Sequence, residues 1–182
     1  MVSSNWELYS SKLISRIKNL DASILSQAVN QLRNNLSNAG TIWIIGNGGS
    51  AATASHFCVD LSKGASTRTG QAIRAIPLMD LVPLQSAWSN DHSYEFALAE
   101  TLQNFGKKSD LLFAISGSGN SPNILNCIKV GRNLGIESIG LTGFTGGKMR
   151  ELLDLEINVA CDDMQIIEDV HHAICHFLSK EV

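Results

Sequence analysis

The sequence predicts an α/β fold: a doubly wound, parallel, five-stranded sheet flanked by helices, with long N-terminal helices before it. Three observations predict it. Apolar, β-branched runs without polar alternation read as strands buried on both faces. Each run is followed by a glycine-rich turn or a helical pattern, in repeated strand–helix order. The first 38 residues carry only helical periodicity. One domain is expected over residues 1–182, with N-terminal helices over 1–38 and an α/β core over 41–182.

The N-terminal part, residues 5–38, reads as two helices with a break near Asn19-Leu20-Asp21. Leu13, Ile17 and Leu20 make one apolar stripe, and Leu25, Val29, Leu32 and Leu36 make another. Asp21 or Ser23 caps the second helix, and Ala39-Gly40 ends it. Such stripes cover a sheet edge or meet another subunit. The first strand, residues 41–45, leads into Gly46-Asn47-Gly48-Gly49-Ser50 and a helix over 51–63. A short second strand over 72–76 is stopped by Pro77, and a loop with a helical turn fills 78–89. Asn90-Asp91-His92 opens a helix to about residue 104. The third strand, 110–116, leads into Gly117-Ser118-Gly119-Asn120-Ser121-Pro122. Ser121 suits an N-cap, Pro122 the first helical position, and Gly135 the helix end. Strands over 136–141 and 155–160 flank a third glycine-rich turn and a short helix, and a last helix spans 164–180.

Composition excludes several functions. A net charge of −3 without a cluster of Lys and Arg argues against nucleic acid as a partner. No apolar run matches a membrane span, and from the polar N-terminus no signal peptide is expected. Cys58, Cys127, Cys161 and Cys175 are too scattered for a zinc ribbon or disulfide framework, so reduced thiols and a cytoplasmic setting are expected.

Two strand–turn–helix loops carry the chemistry. GNGGSA and SGSGNSP offer Ser50, Ser116, Ser118 and Ser121 with free N–H groups at helix starts, which suits a phosphate monoester. Turn geometry alone would use the same residues. The first loop also fits GxGxxA, but no acid ends the second strand to hold a ribose. Gly146-Gly147-Lys148-Met149 lacks the hydroxyl residue of a Walker A loop. His56 and Asp60 are four residues apart on one helix. Glu168, His172 and His176 form a strip on the last helix, with His171 beside it. A solvated face is the alternative for that strip.

With these motifs placed, the chain resembles the sugar isomerase (SIS) domain family. GNGGS, the Asn90-Asp91 pair, SGSGNSP, LTGFTGGKM and a His-bearing final helix are similar to those of its phosphoheptose isomerases. The resemblance implies interconversion of sedoheptulose 7-phosphate and a manno-heptose 7-phosphate, towards activated heptose for surface polysaccharide. It implies that Ser50, Ser116, Ser118 and Ser121 hold the phosphate and that Asn47 and Asp91 contact the sugar. Gly48, Gly49 and Asn120 in the loops, and Glu168, are also expected at the substrate. It implies a homo-oligomer, typically a tetramer, and one Zn²⁺ per subunit on His56, Asp60, Glu168 and His176. Asp60 stands where the family has Glu, and Glu168 where it has Gln. For the proton transfer, Asp60 is expected as the base and His176 as the acid. A non-catalytic SIS module that binds sugar phosphates or proteins, including a replication initiator, and an isomerase of another sugar phosphate remain open at this point.

Overall fold

The computed structural model describes residues 2–182. Five strands form one wholly parallel sheet in the order β2-β1-β3-β4-β5. They are β1 (Thr41–Gly46), β2 (Arg74–Pro77), β3 (Leu111–Ser116), β4 (Glu137–Gly143) and β5 (Leu155–Val159). The predicted doubly wound sheet is therefore the observed one. The reason for the missing polar alternation is also visible. Ile42 and Ile44 of β1 face one apolar layer, with α2 (Ala22–Ser37), α3 (Gly48–Val59) and α8 (Met164–Glu181). Trp43 and Ile45 face the other, with α6 (Tyr94–Phe105) and α7 (Pro122–Leu134). β3 divides in the same way, Leu111, Phe113 and Ile115 against Leu112 and Ala114.

α1 (Val2–Lys18) and α2 are separated where expected, and Asp21 caps α2 by accepting from the Ser23 N–H at 2.8 Å. α1 is tied to α8: the Tyr9 hydroxyl donates to Asp169 at 2.5 Å and Lys12 pairs with Asp163 at 3.1 Å. It nevertheless buries none of its side chains and leaves Trp6, Leu8, Ile14 and Ile17 exposed.

Several boundaries differ from expectation. The helix after the first glycine-rich turn begins at Gly48, because Asn47 is already extended (φ −116°, ψ 150°). It continues as a π-helical turn, Asp60–Ala65, and a last α-turn, α4 (Ser66–Thr69). Pro77 ends β2 from within the strand, paired with Ile44. The segment read as a loop holds a 3₁₀ turn, Leu78–Asp80, and a ten-residue helix, α5 (Val82–Asp91). Asn90 and Asp91 therefore close α5 rather than open α6, whose N-cap is Ser93. α5 was illegible because it has no apolar stripe: Gln85 is its one buried side chain, donating to Thr101 at 2.9 Å.

Asp110 lies just before β3 and is buried. It accepts from the Thr41 N–H (2.9 Å), the Trp43 indole N–H (2.8 Å) and the Lys107 N–H (2.9 Å). Asp110→Ala leaves these donors unsatisfied. The expected loss is about 2–4 kcal/mol in denaturant unfolding, whereas Asp110→Asn, which keeps one acceptor, loses less.

Candidate functional site

In the strand order observed, the topological switch point lies between β1 and β3, at their carboxyl ends. Both glycine-rich loops end there, and both α3 and α7 begin there. Their free N–H groups and helix dipoles are brought to one place. A cleft of about 140 Å³ results, lined by Asn47, Ser50, Ser116, Ser118, Ser121 and Glu168, with no Arg or Lys among its lining residues. A larger hollow of about 400 Å³ lies at the opposite, amino edge of the sheet. No strand there delivers the chain into a helix N-terminus, so it lacks the anion-binding geometry of the cleft.

The loops are held from several sides. Asn47 and Asn123 exchange amide hydrogen bonds at 2.9 and 2.8 Å, and the Tyr94 hydroxyl donates to Asn47 Oδ1 at 2.8 Å. Ser116 Oγ accepts from the Gly119 N–H at 3.2 Å, and Ser118 Oγ from the Asn120 N–H at 3.2 Å. Each hydroxyl hydrogen stays available to an anion. Gly119 (φ +62°) passes so close to the third glycine-rich turn that a Cβ would stand 2.0 Å from the Gly146 oxygen. Asn120 braces this junction, donating to the Ser118 carbonyl at 2.9 Å and accepting from the Lys148 N–H at 3.1 Å. Asn123 and Tyr94 escaped the sequence reading. Nothing in one sequence marks an Asn on an apolar helix as the partner of a loop 76 residues away.

At the far end of α3 the side chains change character. His56 Nε2 lies 3.0 Å from His176 Nε2, and Asp60 stands 3.6 Å from His56 and 3.5 Å from His176. Asp60 Oδ2 is buried without a hydrogen-bond partner. The ligand nitrogens of His56, His172 and His176 lie within 4.8 Å of one another, so these three could hold a metal ion. Burial, and then the rings of His176 and His56, push the His172 ring below its ordinary value, which favours the neutral form that binds metal. The orphaned carboxylate oxygen and the convergent imidazoles fit a divalent cation.

Other expected residues lie apart. Glu168 lines the serine-lined cleft, its oxygens 3.0 and 3.1 Å from where a Cβ on Gly49 would be. His171 turns into the core and meets the Thr142 carbonyl at 3.0 Å, and burial pushes its pKa down to about 4. It is neutral and structural. Asp91 is exposed at the end of α5 and is not among the residues lining the cleft of the single chain.

A parallel sheet with two serine-bearing loops and two helix N-termini at one switch point is an arrangement that suits a phosphate group. The model of the SIS domain matches residues 5–143, and the chain belongs to the SIS domain family. Within the family, the chain is 38% identical over 151 residues to a phosphoheptose isomerase of Aliarcobacter butzleri, covering 81% of this chain and 79% of that one. Its fold is similar to the phosphoheptose isomerase of Neisseria gonorrhoeae, with a TM-score of 0.90 at 26% identity over 99% of this chain and 97% of that one. It is also similar to that of Francisella tularensis, at 0.91 and 27% over 99% and 95%.

Proposed function

We propose that this chain is a phosphoheptose isomerase, an aldose–ketose isomerase that interconverts sedoheptulose 7-phosphate and D-glycero-D-manno-heptose 7-phosphate on the route to activated heptose for surface polysaccharide. One observation carries the reading. The two helices that frame the phosphate cleft, α3 with its π-helical continuation and α8, also bring Asp60, His56 and His176 together further along their length. On α8 the cleft residue Glu168 and His176 are eight positions apart, about 12 Å of helix rise. A seven-carbon phosphate ester laid along these helices has its phosphate among the serines and its carbonyl end at the imidazoles. The named relatives support the same reading.

The reaction moves one proton between neighbouring carbons. Asp60 takes the C1 proton of the ketose, the electron pair becomes the C1–C2 double bond of an enediol, and the C2 oxygen gains a proton. Return of a proton to C2, with loss of the C1 hydroxyl proton, gives the aldose. Asp60 Oδ2 suits the base because, among the described residues, it has no hydrogen-bond partner and only the His176 ring stands near it, at 3.5 Å. His176, 3.5 Å from Asp60, is proposed to face the carbonyl oxygen. A Zn²⁺ ion, one per subunit, is the proposed cofactor of this corner, and when bound it supplies Lewis-acid polarisation there. Ser50, Ser116, Ser118 and Ser121 grip the phosphate; Asn47 and Asp91 are proposed for sugar contacts.

The chain is further proposed to form a single SIS domain that acts in the cytoplasm as a homotetramer. The exposed apolar residues of α1 support assembly. Among the described residues, no helix is long and apolar enough to cross a membrane.

A panel of ketose and aldose phosphates of five, six and seven carbons tests the proposal. Turnover is expected with the heptose phosphates and much less with shorter ones. Binding of all without conversion of any would overturn it and point to a non-catalytic sugar-phosphate binder.

A further inference from the structure

We infer that the metal centre of this chain is made by three imidazoles, His56, His172 and His176, and that Glu168 is a substrate-facing carboxylate rather than a ligand. The role given to Glu168 rests on the proposed function; the imidazole set does not.

The geometry of the three rings points to a common ion. Ring centroids are 4.6 Å apart for His56 and His172, 5.0 Å for His56 and His176, and 4.5 Å for His172 and His176. Tetrahedral Zn²⁺ with Zn–N bonds of about 2.0–2.1 Å needs ligand nitrogens about 3.3 Å apart. His56 and His176 are already at 3.0 Å, and all three ligand nitrogens fall within 4.8 Å, so closing the set needs a contraction of at most about 1.5 Å. His172 and His176 are one helical turn apart on α8, and His56 comes from the helix packed against it. Three protein ligands leave a fourth position open, the arrangement of catalytic rather than structural zinc.

Glu168 is placed differently. Its carboxylate lies over Gly49, in the first turn of α3, where the helix dipole favours negative charge. Among the described residues it has no hydrogen bond or ion pair, and it lines the same cleft as the serines. A carboxylate accepts from sugar hydroxyls there, between the phosphate and the imidazoles. Asp60 stands 3.5–3.6 Å from His56 and His176, at the edge of this set, where the proposed function gives it the role of base.

Co²⁺ titration of the full-length chain, read by visible absorption and by chelator competition, tests the assignment. One equivalent is expected. His172→Gln and His176→Gln should each weaken it by about a hundredfold or more. Glu168→Gln should bind Co²⁺ within threefold of wild type but raise KM for the sugar phosphate. X-ray absorption of the wild-type Zn²⁺ form should count three imidazoles, which keeps the test open if a variant misfolds. The inference is overturned if Glu168→Gln weakens Co²⁺ as much as His176→Gln does, or if only two imidazoles are counted. A chain that binds Co²⁺ in this way yet isomerises nothing would refute the proposed function alone.

Discussion

Asp60→Asn is expected to lower kcat by about a thousandfold while KM and bound metal stay close to wild type. The amide has the shape of the carboxylate but no basic lone pair to accept a carbon-bound proton. Asp60 opens the π-helical turn Asp60–Ala65, and such turns cluster at functional positions. Among the described residues its Oδ2 is buried without a hydrogen-bond partner, and its carboxylate stands 3.5–3.6 Å from two imidazoles. A role confined to metal binding makes a different pattern, in which metal content and rate fall together. Measuring kcat, KM and zinc per chain on the same preparation separates the two. A wild-type rate in this variant removes Asp60 from the chemistry.

Gly119→Ala should raise KM for the sugar phosphate by about a hundredfold and lower stability by about 1–3 kcal/mol. Gly119 has φ +62°, and its missing Cβ is what lets the loop lie against Gly146. The added methyl meets a backbone oxygen, which cannot rotate away. The Gly119 N–H then leaves Ser116, and the loop 117–121 loses the shape that aims its donors into the cleft. Gly64→Ala is the control, because no atom stands within 4 Å of its added methyl and its φ is ordinary. Steady-state kinetics and thermal unfolding of both variants check the contrast. Equal behaviour would mean that the loop 117–121 tolerates displacement.

The parts of this molecule that were legible in its sequence are those fixed by local chemistry. The apolar runs at β1 and β3 have no polar alternation because each is covered on both faces, and that pattern survives in one dimension. Ser121, Pro122 and Gly135 mark the ends of α7 because caps are local. α5 lacked an apolar stripe, so it read as a loop. The strip of Glu168, His172 and His176 was visible as helical spacing. Which of its members meets His56 depends on how α3 crosses α8, and spacing within one helix does not encode that. His171 differs from His172 by one position, yet one ring is buried against Thr142 and the other joins the imidazole cluster. Asn123 and Tyr94 act through distant Asn47, for which the sequence carries no local mark.

The most direct test of the account follows sedoheptulose 7-phosphate with the wild-type chain in deuterated water by NMR. Proton transfer through an enediol predicts that the ketose is consumed, that an aldose heptose 7-phosphate appears, and that solvent deuterium enters at the carbons exchanging the proton. Ketose that is bound and recovered unchanged, with no aldose and no deuterium after prolonged incubation with zinc-loaded protein, would contradict it.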